Sequence, residues 1–140
     1  MLYWNDTKEA IGVFVKLWEK LFQEKEFQDA LVKVNQLVLY DYALDGPDAS
    51  FWIDLRGGEL KVGTGKPAGE PDLTLSCSLD DGHLSWANMM NAVMAITRGR
   101  VRVKGNATGL LKLAPKTKKI AEIYKQMLID MGMVYKLVKK

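Results

Sequence analysis

The stretch DLTLSCSLD, residues 72–80, alternates polar and apolar side chains without a break. Successive side chains of a β-strand point to opposite faces, so this strand has an apolar face formed by Leu73, Leu75, Cys77 and Leu79. One apolar and one polar face indicate a sheet that is covered on one side only. We therefore expect the rest of the chain to supply a layer of helices for the apolar face.

Helical periodicity precedes this strand. Asp6 and Glu9 have the spacing of a capping box. After them, apolar side chains recur at three- and four-residue intervals and predict a first helix, followed by a short second one; these residues are Ile11, Phe14, Val15, Trp18, Leu21 and Phe22, then Phe27, Leu31 and Val34.

Three shorter alternating runs follow, over residues 38–44, 51–55 and 60–62. The first run ends at Gly46-Pro47, and Gly57-Gly58 predicts a two-residue hairpin turn between the other two. Beyond residue 80 the pattern predicts one helical segment over 84–97, a fifth strand, helical turns at 107–114, and a last helix from Pro115 to Gly132. This order predicts an α+β domain with one antiparallel-rich sheet and helices on its apolar face.

The chain has 140 residues, which fits a single domain without repeats or linkers. The expected parts are N-terminal helices (1–33), the sheet with a helical insertion (34–105, insertion 80–98), C-terminal helices (106–132) and a tail (133–140). Cys77 is the only cysteine, so no internal disulfide forms, which suits the cytoplasm. We expect neither a signal peptide nor a membrane span, which needs about 20 apolar residues.

Charge is distributed unevenly along the chain. Residues 98–140 hold 12 Lys and Arg and two acidic residues, whereas residues 1–97 have a net charge of −7. Arg100, Arg102 and Lys104 alternate with Val101 and Val103, which predicts a strand with its valines inward and its basic residues outward. A basic face can bind nucleic acid, but this stretch lacks the aromatic residues on which bases stack, so a solvated face is favoured.

Residues typical of catalysis are scarce. His83 is the only histidine; we expect it at the surface or at a helix start, without a paired acid and nucleophile. Cys77 falls on an apolar strand face, which favours a core position. One cysteine and one histidine do not make a conventional zinc site. The sequence therefore predicts neither an enzyme, nor a metal site, nor a bound cofactor.

The segment 84–97 is rich in methionine, with Met89, Met90 and Met94 close to Trp86. Methionine is flexible and polarizable, so it suits both an ordinary core and a wall that adapts to apolar ligands. Composition alone leaves both interpretations open.

Three stretches, in this order, resemble the sterol carrier protein type 2 family of lipid-binding domains. FWIDLRGGELKVGTG resembles its central hairpin, EPDLTLSCSLDD its next strand and helix start, and GRVRVKGNATGLLKL its most recognisable signature. The resemblance covers residues 51–113 well and the flanking helices loosely. NAVMAITRG departs from the Phe-rich stretch usual before this glycine and implies a less aromatic wall.

The resemblance implies a five-stranded mixed, mostly antiparallel sheet, helices on one face, and an apolar tunnel between the two layers. Its ligand would be a fatty acid, fatty acyl-CoA, phospholipid or sterol-like lipid. The predicted tunnel residues are Trp86, Met89, Met90, Val93, Met94, Ile96, Leu110, Leu113, Ile120, Tyr124, Met127 and Leu128. Arg98, Arg100 and Lys104 are expected to contact an anionic headgroup or an anionic membrane surface.

Three functions remain open at this point. The first is non-enzymatic binding and transfer of a lipid. The second is an accessory or interaction module with a collapsed pocket, which includes a homodimer formed through the N-terminal helix with Tyr3 and Trp4 at the contact. The third and weakest is nucleic-acid binding through the basic region 98–119.

Overall fold

The computed structural model describes residues 1–138, except for the side chains of Ala92 and Val93. The helices of this part of the chain are α1 (Thr7–Gln23), α2 (Lys25–Val34), α3 (Leu79–Trp86), α4 (Ala92–Thr97), α5 (Thr108–Leu111) and α6 (Thr117–Asp130). The strands are β1 (Leu37–Asp41), β2 (Ser50–Asp54), β3 (Lys61–Thr64), β4 (Leu73–Ser76) and β5 (Arg102–Gly105).

The strands form one five-stranded sheet in the order β3-β2-β1-β4-β5. β1 and β4 are parallel, whereas the other three pairs are antiparallel. The predicted α+β fold with a mixed, mostly antiparallel sheet is confirmed.

Helix α1 begins as the sequence predicts and covers one half of the sheet. The Asp6 carboxylate accepts a hydrogen bond from the Glu9 backbone N–H at 2.8 Å, which satisfies a free donor of the first turn. The apolar face of α1 packs over β2 and β3, and α6 lies against α1. Its buried residues are Ala10, Ile11, Val13, Phe14, Leu17, Trp18 and Leu21.

The connection between β2 and β3 is longer than the predicted two-residue turn. It spans residues 55–60 and contains a 3-10 turn at Arg56–Gly58. Arg56 donates to the Asp54 carboxylate through its backbone N–H at 3.1 Å and its Nε at 2.9 Å, which favours the wider turn. Gly57 and Gly58 both adopt positive φ, at 68° and 79°.

The predicted single helix after β4 is two helices. Asn88 adopts a left-handed conformation (φ 56°) just after α3. Asn91 then caps α4, because its side-chain oxygen accepts a hydrogen bond from the Met94 N–H at 3.0 Å. These two asparagines explain why the methionine-rich segment is interrupted at residues 87–91.

Beyond the end of the predicted last helix, residues 134–137 still pack against the core. Pro115 lies in a 3-10 turn, and α6 begins at Thr117. Gly132 (φ 73°) ends α6 as expected, and the Met133 N–H donates to the Leu128 carbonyl at 2.7 Å. Residues 134–137, expected as tail, form a 3-10 turn in which Lys136 is buried; Lys139 and Lys140 lie outside the described residues.

Candidate functional site

The helix-facing side of the sheet is covered unevenly. Phe51, Tyr40, Leu75 and Val103 lie in one row across β2, β1, β4 and β5. Their exposure rises along this row: Phe51 is 0% and Tyr40 6% exposed, Leu75 is half-buried, and Val103 is 37% exposed. The helices therefore cover β4 and β5 less completely than β2 and β1, and we call this less covered part the open half of the sheet.

Aromatic rings fill the covered half. The rings of Tyr40 and Phe51 stack with centroids 4.7 Å apart. Trp86, at the end of α3, lies 5.4 Å from Tyr40 and 5.7 Å from Trp18 of α1. Rings at these separations pack as in a protein core. Trp86 thus marks the border between the closed core and the open half.

The twelve predicted tunnel residues divide into two groups. Five lie in the closed core: Leu113, Ile120, Tyr124, Met127 and Leu128. Trp86, Met89, Met90 and Leu110 are half-buried, and Met94 and Ile96 are 44% and 40% exposed; the Val93 side chain lies outside the described residues. Five of the twelve therefore lie in the core, and the other six whose side chains the structure describes are partly or largely exposed; that they line one tunnel stays a prediction.

Helices α4 and α5 are attached to the two ends of β5. The Ala95 carbonyl accepts from the Arg100 and Val101 N–H groups at 2.8 and 3.2 Å, which ties α4 to the strand start. Leu110 of α5 packs against the core, whereas Leu111 is 56% exposed. Leu75 and Val103 were missed as site residues, because strand alternation gives their face but not the position of the helices above it.

The three predicted headgroup residues occupy different environments. Arg98 is exposed at the end of α4, and Arg100 forms an ion pair with Asp81. Lys104 lies beside Thr74 on the outer face of the sheet, away from the helices. Arg102 shares this outer face, so the prediction that the basic residues of β5 point outward is correct. Val103 faces the helix side, as predicted, but is 37% exposed.

Two clefts of about 400 Å³ each open on the described surface. One lies between α1 and α6 and has mainly charged and polar walls, formed by Lys20, Gln23, Glu24, Lys119, Glu122, Ile123, Gln126, Met127 and Asp130. The other lies where β1 and β4 end, and is lined by Asp41, Ala43, Leu44, Ser76, Cys77, Gly99, Arg100 and Arg102. We call the second the sheet-end cleft.

Cys77 and His83, the two candidate reactive side chains, are both held in unreactive states. Burial raises the pKa of the Cys77 thiol to about 12, and the nearby Asp81 and Asp45 carboxylates add to the rise. A thiol of this kind is protonated at neutral pH and is a poor nucleophile. Within residues 1–138, no group of three or more His, Cys, Asp or Glu side chains is placed to hold a metal ion.

His83 is buried, not at the surface as predicted. Its Nδ1 lies 2.7 Å from the Tyr124 hydroxyl, and its Nε2 lies 2.8 Å from the Lys136 carbonyl oxygen. Since a carbonyl only accepts, Nε2 carries the proton and neutral His83 accepts from Tyr124 at Nδ1. Burial lowers the pKa of His83 below its usual value. The ring therefore connects α3 to α6 and to residues 134–137 as a structural link.

Tyr3 and Trp4, expected at a dimer contact, are 5% and 4% exposed within the chain itself. The Trp4 indole N–H donates to the Leu79 carbonyl at 3.1 Å. These two side chains are not available to a second protomer. Among the described helices, none is long and apolar enough to span a membrane.

The fold is an α+β domain whose helices cover one half of the sheet more completely than the other. A model of the SCP-2 sterol transfer family matches residues 15–118, and the chain belongs to this family.

Sequence relatives and solved structures agree with this assignment. Hydroxysteroid dehydrogenase-like protein 2 of Bos taurus is 33% identical over 86 residues, which are 61% of this chain and 20% of that protein. The chain thus spans about a fifth of the length of this curated relative.

The sterol carrier protein domain 2 of Helicoverpa armigera superposes with a TM-score of 0.65 at 22% identity, over 81% of this chain and 89% of that one. The apo form of sterol carrier protein 2 from Yarrowia lipolytica gives 0.58 at 22% identity, over 89% and 96%. At this identity the two structures show the shared fold.

Proposed function

We propose that this chain is a single non-enzymatic domain that binds the hydrocarbon part of a lipid against the open half of the sheet. The observation that carries the proposal is the row from Phe51 to Val103, whose apolar side chains become progressively exposed on the face that the helices should cover. Membership of a sterol transfer family supports the same ligand class.

The energetic argument is burial of apolar surface. A hydrocarbon chain gains about 0.8 kcal/mol for each methylene removed from water. Leu75 and Val103 would form the floor, and the half-buried Met89, Met90 and Leu110 would form adaptable walls. The ligand class is a fatty acid, an acyl-CoA, a phospholipid or a sterol-like molecule. The free thiol of Cys77 suits a reducing compartment, and we propose the cytoplasm.

The test is lipid uptake by the purified chain, measured by native mass spectrometry and by titration with a fluorescent fatty acid. Val103→Trp is expected to fill the open half and lower the affinity at least fivefold. Thr74→Trp is the matched control, because Thr74 is on the opposite face of the neighbouring strand, and its affinity should stay within twofold. No uptake by the unmodified chain, or equal losses in both variants, would contradict the proposal.

A second candidate is an accessory module that acts beside a lipid-pathway enzyme. The closed aromatic core favours it, since five predicted tunnel residues lie in that core. The matched part of hydroxysteroid dehydrogenase-like protein 2 is also only about a fifth of that protein. A chain that takes up no lipid but forms a stable complex with such an enzyme would support this candidate.

A further inference from the structure

Positive charge is concentrated in one stretch of the chain. Residues 82–121 contain eight Lys and Arg and neither Asp nor Glu. The eight are Arg98, Arg100, Arg102, Lys104, Lys112, Lys116, Lys118 and Lys119. This stretch includes α4, β5 and α5, the elements beside the open half of the sheet. It therefore gives this side of the molecule a positive potential.

Aliphatic side chains are exposed among these cations. Met94 and Ile96 of α4 each have more than a third of their surface exposed. The same holds for Val103 of β5 and Leu111 of α5. Residues 92–112 contain no aromatic residue. Aliphatic side chains can enter the boundary between lipid headgroups and acyl chains, whereas nucleic-acid bases stack on aromatic rings. This composition favours a lipid surface over nucleic acid as the partner.

Strand β5 brings these side chains together along one edge of the molecule. It is the last strand of the sheet order, beside β4. The Ala95 carbonyl ties α4 to the start of β5. Where α5 follows the end of β5, the Asn106 side-chain oxygen accepts a hydrogen bond from the Thr108 N–H at 3.0 Å. We call the exposed residues along this edge the β5 edge surface; they are Met94, Ile96, Arg98, Arg102, Val103, Lys104, Leu111 and Lys112.

The cations of the β5 edge surface are available to a partner. Within residues 1–138, none of its four Arg and Lys side chains forms an ion pair with a carboxylate. Two carboxylates that adjoin this edge are already engaged: Asp81 pairs with Arg100, and Asp72 Oδ2 accepts from the Leu37 N–H at 2.9 Å. The surface therefore presents four positive charges together with exposed aliphatic side chains.

We propose that the β5 edge surface docks on an anionic lipid bilayer. Its aliphatic side chains enter the boundary between headgroups and acyl chains, and its cations contact the lipid phosphates. Arg102 and Lys104 start from the outer face of β5, but their long flexible stems can reach a bilayer pressed against the edge. The inference goes beyond the proposed function, because docking does not require uptake of a lipid. It places the bilayer beside the open half, since Val103 belongs to both.

The experiment measures partitioning of the purified chain onto vesicles by flotation. One set of vesicles is phosphatidylcholine alone, and the other contains about 30% phosphatidylserine. At about 0.1 M salt, the chain should bind the anionic vesicles at least tenfold more strongly, and this preference should weaken at about 0.5 M salt.

The charge contribution is tested by a pair of matched double variants. Arg102→Gln/Lys104→Gln should lower binding to anionic vesicles at least tenfold, since each Lys or Arg near such a surface contributes about fivefold, or about 1 kcal/mol. Lys8→Gln/Lys16→Gln removes the same charge from exposed positions of α1, which packs over β2 and β3 in the other half of the sheet. This control should stay within about twofold of the unmodified chain.

The apolar contribution is tested by a pair of leucine variants. Leu111→Gln should lower binding about fivefold, because the inserted side chain is lost. Leu44→Gln is the control: Leu44 is 82% exposed but lies in the loop that carries Asp45 and Asp48, which an anionic surface repels. Its binding should stay within about twofold of the unmodified chain.

Each outcome has a distinct meaning. Equal binding to both kinds of vesicle, or equal losses in a variant and its control, would overturn the docking surface. Tighter binding to a single-stranded oligonucleotide than to anionic vesicles at the same salt would identify a nucleic-acid surface instead and overturn it as well. If the chain takes up fatty acid but binds no vesicles, only this inference fails. If it binds anionic vesicles as expected but takes up no fatty acid, the docking surface is supported and the proposed function fails.

Discussion

The buried ammonium group of Lys136 connects the two ends of the fold. The side chain is 1% exposed, and its Nζ donates to the Tyr3 carbonyl at 2.6 Å and to the Glu9 carboxylate at 2.7 Å. It also lies 4.7 Å from the centre of the Trp4 ring. We expect Lys136→Met to keep the packing of the aliphatic stem and to remove the charge together with both hydrogen bonds.

The size of the effect follows from what each partner loses. The Tyr3 carbonyl loses a hydrogen bond from a charged donor, which is worth about 1.5–3 kcal/mol. Glu9 loses its cation but keeps two hydrogen bonds from Asn5 and is 19% exposed, so water compensates part of its loss. We therefore expect a decrease of about 3 kcal/mol in the free energy of unfolding, at the lower end for a broken buried pair. This corresponds to a melting temperature lower by about 10 °C.

The measurement is urea unfolding followed by tryptophan fluorescence. Lys125→Met, at an exposed position of α6, is the matched control and should change stability by less than about 0.5 kcal/mol. Since replacing both partners of a buried pair costs less than removing one, the double variant Glu9→Gln/Lys136→Met should recover part of the loss. A decrease below about 1 kcal/mol for Lys136→Met, or no recovery in the double variant, would refute this reasoning.

Three other predictions concern stability and reactivity. Gly12→Ala, at an exposed helical position with no neighbour near the new methyl group, should stabilise the fold by about 0.5–1 kcal/mol. Gly105→Ala should destabilise it by about 2–3 kcal/mol, because Gly105 has a φ of +105° and the new methyl group would press against the Asp72 carbonyl. Thermal melts of both variants check these opposite signs. His83 has a lowered pKa in the fold, so its stabilising effect is complete above its unfolded pKa of 6.5 and is lost as pH falls towards the folded value. Unfolding curves between pH 7.5 and 5.5 should therefore show a decrease that His83→Gln abolishes, and an unchanged slope in that variant would rule out His83 as its source. Cys77, with its pKa of about 12 against an ordinary 9.0, should have a thiolate fraction roughly a thousandfold smaller at pH 8; reaction with a disulfide reagent at the rate of a free thiol would contradict this.

The parts of the fold that depend on local patterns were predictable. The cap at Asp6, the apolar face of α1 and the alternation of β4 each come from residues within a few positions of one another. Such patterns do not reveal the parallel pairing of β1 with β4, because it joins strands about 35 residues apart with a whole hairpin between them. Sequence periodicity shows which residues of a strand share a face, but not which other strand lies beside it.

The candidate site was predicted only in part for a similar reason. The outward basic face of β5 follows from alternation, but the exposure of Val103 depends on where the helices end. Likewise, His83 and Lys136 are polar residues whose burial requires partners far away in the chain, such as Tyr124 and Tyr3. A single polar residue in a sequence gives no sign of such a partner.

The position of β5 at the edge of the sheet has a consequence for how the protein behaves at high concentration. An edge strand offers unpaired backbone groups to the edge of another molecule, and short strands with basic side chains oppose such pairing. β5 is four residues long, and its two basic side chains, Arg102 and Lys104, flank the exposed Val103. These two basic side chains therefore keep an apolar edge from pairing with another. Replacing them by apolar residues would trade monodispersity for a wider apolar surface, so only polar substitutions separate binding from self-association.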